Sequence, residues 1–137
     1  MEIKKFKFNA FLFLFALGMI SAVPVNAATA SYVHYLIPTG SNVTYTANYT
    51  KETDLDYFTL YVSSFNGSQD RAKFRAQEYT YGDYLTISND ECYSAGSYYS
   101  LYFQGFNLST GNTVRLGVKR NNFSVTPSTV TFNVNFR

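Results

Sequence analysis

The chain has 137 residues, with 11 Lys and Arg against 9 Asp and Glu, one His and one Cys. Its first 27 residues read as a secretion leader holding Lys4, Lys5, Lys7 and Glu2, so the rest of the chain carries eight charges of each sign. That balance removes the electrostatic basis for nucleic-acid binding, the single Cys excludes an internal disulfide or a cysteine metal cluster, and the single His leaves most hydrolase and metal constellations without parts.

The leader has three zones. Lys4, Lys5 and Lys7 make a basic start, Ala10 to Val23 is an apolar run, and Pro24 breaks it before Val25-Asn26-Ala27. Small residues at the last and third-last of these positions suit a signal peptidase. Cleavage is expected after Ala27, with a second acceptable site after Ala30. The run is shorter than the roughly 20 residues of a membrane span, so the cleaved chain is expected to be secreted, with no stable span. The plan is a signal peptide over 1–27 and one domain over 28–137.

Beyond the leader the sequence is rich in Tyr, Phe, Val and Thr, which suit a pleated, half-buried surface, with Asn, Ser and Gly between them as turns require. Tyr32 to Ile37 reads as a strand with Tyr32, His34 and Leu36 on one face. Asn42 to Thr50 alternates, with Val43, Tyr45, Ala47 and Tyr49 on one face and Thr44, Thr46 and Asn48 on the other. Leu55 to Ser63 runs into Asn66-Gly67, a turn signal. Arg71 to Tyr79 fits either a strand or a short helix capped by Asp70. A strand is preferred, as hairpin partner of 55–63. Tyr84 to Ser88 is a short strand. Ser97 to Phe106 is strongly aromatic and leads into the loop Ser109-Thr110-Gly111-Asn112, read as a hairpin. Asn112 to Lys119 places Val114, Leu116 and Val118 on one side, and Thr129 to Phe136 places Val130, Phe132, Val134 and Phe136 inward. One apolar and one polar face per strand marks an antiparallel sheet that covers a core on one side. The expected fold is all-β, a single antiparallel two-sheet β-sandwich of seven or eight short strands, with a small barrel as the alternative.

The candidate binding residues are Tyr98, Tyr102 and Phe106. In a strand over 97–106 they share one face, while Tyr99, Leu101 and Phe103 take the core. Exposed rings in a row stack on sugars or pack on a partner; the competing reading is cross-strand packing. Arg71, Lys73 and Arg75, and Arg115, Lys119 and Arg120 in a second hairpin, are two basic groups, read as solvated outer faces that protect edges. Asn89-Asp90-Glu91 and Asp54/Asp56 lack the spacing of a calcium loop and read as turn residues. His34 has no identifiable catalytic partner. Cys92 reads as an inert small hydrophobe, its thiolate disfavoured by Asp90 and Glu91. Five Asn-x-Ser/Thr triplets match the glycosylation pattern, but the bacterial look of the leader argues against glycans. No catalytic residue, metal or cofactor is expected.

Ser97-Tyr98-Tyr99-Ser100, Val114-Arg115-Leu116-Gly117 and Asn121-Asn122-Phe123-Ser124, with Tyr45 to Ser63, resemble a family of small secreted proteins from Gram-positive bacteria catalogued as a domain of unknown function. The resemblance covers about half of residues 28–137. It departs from the family in having no Trp, where relatives carry it in the central and last strands. It implies secretion and a β-rich fold, and no activity. In size, leader and composition the chain is more loosely similar to lactococcin-type bacteriocins. The expected function is a non-enzymatic secreted protein that binds a cell-envelope component or a secreted partner, with bacteriocin-like action as one form. The alternatives are a carbohydrate-binding module using the Tyr/Phe stripe and, third, a small envelope hydrolase.

Overall fold

The computed structural model describes residues 29–106 and 108–137, so the leader expected over 1–27 and the triplet residue Asn107 lie outside the described residues. The described residues hold ten strands and no helix. They are β1 (Thr29–Ile37), β2 (Thr44–Tyr45), β3 (Tyr49–Thr50), β4 (Tyr57–Gly67), β5 (Arg71–Thr80), β6 (Asp83–Thr86), β7 (Glu91–Ser94), β8 (Ser97–Tyr102), β9 (Thr113–Arg120) and β10 (Ser128–Asn135).

Two antiparallel sheets form. Sheet A has the order β1-β10-β4-β8; sheet B has the order β2-β9-β5-β6, with β3 also on β9 and β7 also on β5. Two pairs of short strands thus each share one edge of sheet B, and each sheet is four strands wide. The core lies between the sheets: Phe74 of β5 meets Phe132 of β10 edge to face at 5.4 Å, and Tyr93 of β7 stacks on Tyr99 of β8 at 4.0 Å. Val114, Leu116 and Val118 on β9, and Val130, Phe132, Val134 and Phe136 in and just beyond β10, all point inward and are buried, as their alternation requires.

The pairing departs from the expected hairpins. Arg71–Thr80 is a strand, but β5 pairs with β9, β6 and β7 in sheet B, while β4 lies in sheet A between β10 and β8. Likewise β8 and β9 belong to different sheets. The Asn66-Gly67 and Ser109–Asn112 segments therefore carry the chain from one sheet to the other instead of folding it back. Gly67, at φ 101°, makes the first of these crossings; an added Cβ there would lie 2.7 Å from the Pro127 carbonyl oxygen. Glu91, read as a turn residue, begins β7.

Two bulges overturn face assignments, because one extra residue moves every later side chain to the other face. In β1 the register against β10 shifts between Tyr32 and Tyr35, where His34 sits at φ 50°. Tyr32 and Tyr35 therefore both pack on Phe132, and Leu36 faces solvent. Along β9, Tyr45 pairs with Gly117 but Tyr49 with Val114. Four residues on one strand answer three on the other. Tyr45 stays on the outer surface, Tyr49 turns inward to stack on Phe136 at 4.4 Å, and Thr46 is buried in exchange with Leu116. The Thr46 amide donates to the Leu116 carbonyl at 2.9 Å, and the Leu116 amide donates to Thr46 Oγ1 at 3.0 Å.

Candidate functional site

On sheet A the outward positions of β4 are Tyr57, Thr59 and Tyr61, because Phe58, Leu60 and Val62 are fully buried. The outward positions of β8 are Tyr98, Ser100 and Tyr102, opposite the inward Tyr99 and Leu101. Register then brings these residues face to face: Tyr57 with Tyr102, Thr59 with Ser100, and Tyr61 with Tyr98. The rings pair as tilted neighbours, at 5.2 Å for Tyr57 and Tyr102 and 4.6 Å for Tyr61 and Tyr98. Four residues separate the pairs along the strand, about 13 Å at ~3.3 Å per residue, with two hydroxyl side chains as the floor between them.

Toward β10 the surface becomes polar. Asn135 pairs with Thr59 and Asn133 with Tyr61; beyond them Thr29 pairs with Asn135 and Ser31 with Asn133. A shallow depression of about 240 Å³ is lined by Thr29, Thr59, Tyr61, Tyr98, Asn133, Val134 and Asn135. Tyr98 is 77% and Tyr102 55% exposed, so these rings pair across strands and still face solvent.

Phe106 does not continue the row. After Tyr102 the chain leaves sheet A: the Phe103 amide donates to the Asp56 carbonyl and the Gln104 amide to the Ile87 carbonyl, at 2.8 and 2.7 Å. Phe106 lies past the strand end, half-buried against the core. Sequence reasoning had Tyr98 and Tyr102 on one outer face but missed Tyr57 and Tyr61. Their alternation with Phe58, Leu60 and Val62 carried the signal for an outward face; their pairing with β8 lies some forty residues away and has no local signal.

Of the basic groups, Arg75, Lys119 and Arg115 are engaged on the outer face of sheet B. Asp90 joins β5 to β9. Arg75 Nη2 donates to its Oδ2 at 2.8 Å with Nε 2.7 Å from Oδ1, and Lys119 Nζ donates to Oδ2 at 2.9 Å. Burial pushes the Asp90 carboxyl up, but the hydrogen bonds and charges of Lys119 and Arg75 outweigh it and the net shift is downward. Arg115 is held between two rings, 4.0 Å from the Tyr45 centroid and 3.3 Å from that of Tyr84, and its Nε donates to Gln77 Oε1 at 2.8 Å. Arg120 is buried, donating to the carbonyls of Pro38 and Thr126. It therefore does not share the solvated face expected for it.

The acidic groups serve the loops. Asp54 Oδ1 accepts from the Thr110 amide at 2.7 Å and from its hydroxyl at 3.0 Å, which holds the carboxyl below its ordinary range. Lys51 is fully buried beside it, donating to the Thr53 carbonyl. Burial pushes its ammonium down, against the charges of Asp54 and Asp56. His34 is exposed at the β1 bulge and Cys92 is exposed on β7, not buried as a small hydrophobe. Among the described residues no group of three or more His, Cys, Asp or Glu is placed to hold a metal ion.

No protein-family model matches the chain, and no curated protein matches it. Among solved structures it is similar to a chain in the structure of infectious bursal disease virus, Gx strain, at 13% identity and a TM-score of 0.41. The match covers 79% of this chain and 31% of that one.

Proposed function

We propose that residues 28–137 are a secreted, non-enzymatic β-sandwich of jelly-roll winding that binds at a cell envelope through the outer face of sheet A. The observation that carries this reading is the pair of tyrosine pairs on that face, Tyr57/Tyr102 and Tyr61/Tyr98. The core is complete without them, and a monomeric surface rarely presents clustered rings that serve no contact. The winding is supported by the strand order, in which the chain crosses between sheets at every step except along the short β2–β3 and β5–β6–β7 edges of sheet B. A non-catalytic role is supported by the placement of His34 and Cys92 in different sheets. Secretion and cleavage after Ala27 rest on the leader, with its basic start, apolar run and Val25-Asn26-Ala27.

The test is to add the purified chain Ala28–Arg137 to Gram-positive bacteria and score surface binding and growth together. Wild type should bind, and Tyr102→Ala should bind more weakly while changing stability by no more than about 1 kcal/mol, as a surface position does. Growth inhibition would mark the bacteriocin-like form of the activity. A folded Tyr102→Ala chain that binds as well as wild type would remove this face as the binding surface.

A further inference from the structure

Charge is divided between the sheets. Every Asp, Glu, Lys and Arg that lies in a strand belongs to sheet B; β1, β4, β8 and β10 carry none. The outer face of sheet A is built mainly from Tyr, Thr, Ser and Asn, with His34 and the exposed Val33 and Leu36 along its β1 edge. An anionic polymer or lipid headgroup recognised on these strands would find no cation, and a basic peptide no carboxylate; past the end of β10, Arg137, whose amide donates to Asn135, lies 3.7 Å from Glu52. What the face does offer is aromatic surface in two stations about 13 Å apart, with hydroxyls and amides between and beside them. Hydrogen-bonding floors between separated rings are too polar for an obligate protein interface, whose centre is apolar. They match a ligand that is apolar on its ring faces and hydroxylated at its rim, and long enough to reach both stations.

Resting on the reading that this face is the binding surface, we propose that its ligand is an uncharged polysaccharide. The chain would lie along β4 and β8, with a sugar ring against each tyrosine pair and hydroxyls on Thr59, Ser100, Asn133 and Asn135. The shallow depression beside Tyr61 and Tyr98 takes a substituent or an adjoining sugar unit.

The experiment uses the chain Ala28–Arg137 on isolated Gram-positive envelopes, and on insoluble cellulose, chitin and β-glucan beside polygalacturonate beads. Envelope binding should be unchanged from about 0.1 M to about 1 M NaCl, over which the screening length falls from ~10 to ~3 Å. It should survive protease digestion of the envelopes, which removes surface protein and leaves the polysaccharide. The double variant Tyr98→Ala/Tyr102→Ala should lose about tenfold or more in affinity, while Tyr98→Phe/Tyr102→Phe, which keeps the rings, should retain most of it. Retention on a neutral polysaccharide and not on polygalacturonate adds direct support. Tyrosine-dependent envelope binding that high salt releases, or that protease digestion of the envelopes abolishes, overturns the proposal in favour of a charged polymer or a protein. A tyrosine-dependent dimer in sedimentation makes the occupant a second copy and overturns it as well. Failure of the underlying reading looks different: the alanine variant binds envelopes as wild type does.

Discussion

Asp90 shows how one side chain settles the outer surface of sheet B. It meets Arg75 from β5 and Lys119 from β9 within 3 Å, where two cations on neighbouring strands would otherwise repel. Its carboxyl titrates below the ordinary carboxylate range in the folded chain. A depressed folded value means that the contribution is present above the unfolded value of about 4 and is lost as pH falls through the lower folded one. Asp90→Asn should therefore cost about 1–2 kcal/mol near neutrality, with the deficit shrinking as the medium is acidified below about pH 4. Denaturant unfolding of both chains at pH 7 and in acid measures this, and a deficit that is the same at both would contradict it. Gly117 serves the same surface. A Cβ there would lie 2.9 Å from Tyr45, Arg75 and Val43 side-chain atoms, so its smallness lets Tyr45 lie down over β9 and reach Arg115.

Among the elements, β10 is an inner strand of sheet A and meets sheet B through Phe132. It is paired on both sides, with β1 and β4. Phe132 in its middle stacks on Tyr32 at 5.0 Å and meets Tyr35 and Phe74 edge to face. Its neighbour Asn133 points to the opposite, solvent-facing side. Phe132→Ala should lose about 3–5 kcal/mol, a large part of the roughly 5–15 kcal/mol available to a domain of this size. Asn133→Ala should stay within about 0.5 kcal/mol of wild type. Thermal melts of the two variants give the comparison directly, and equal midpoints would contradict the face assignment.

At the scale of the whole molecule, the first strand ties the proposed cleavage site to the fold. Thr29 and Ala30 pair with Asn135 and Val134, Ala30 packs against the core, and Thr29 lines the depression on sheet A. A chain that starts at Ala28 keeps the full ladder; one that starts at Ser31 loses two positions of it. Mass spectrometry of culture supernatant should find the N-terminus at Ala28. A chain made to start at Ser31 should be less stable by about 1–2 kcal/mol, the net worth of one or two ladder hydrogen bonds. Equal stability of the two chains would show that the end of β1 adds nothing.

The amino-acid sequence by itself determined the strands whose side chains alternate without interruption. In β8, β9 and β10 a period of two needs only neighbouring residues, so Tyr99, Leu101, Val114, Leu116, Phe132 and Val134 were legible as core, and Tyr98 and Tyr102 as outer. Tertiary structure decided the rest. The bulge at His34 and the break between Tyr45 and Tyr49 each reverse a face, and each exists only because a partner strand sets the register. Successive strands cross between sheets, so most pairing partners are distant in sequence: β1 with β10, β2 and β3 with β9, and β4 with β8. The four tyrosines of the candidate site come together by that last pairing. Composition and spacing describe one strand at a time, whereas a surface made by two strands is defined only when their register is.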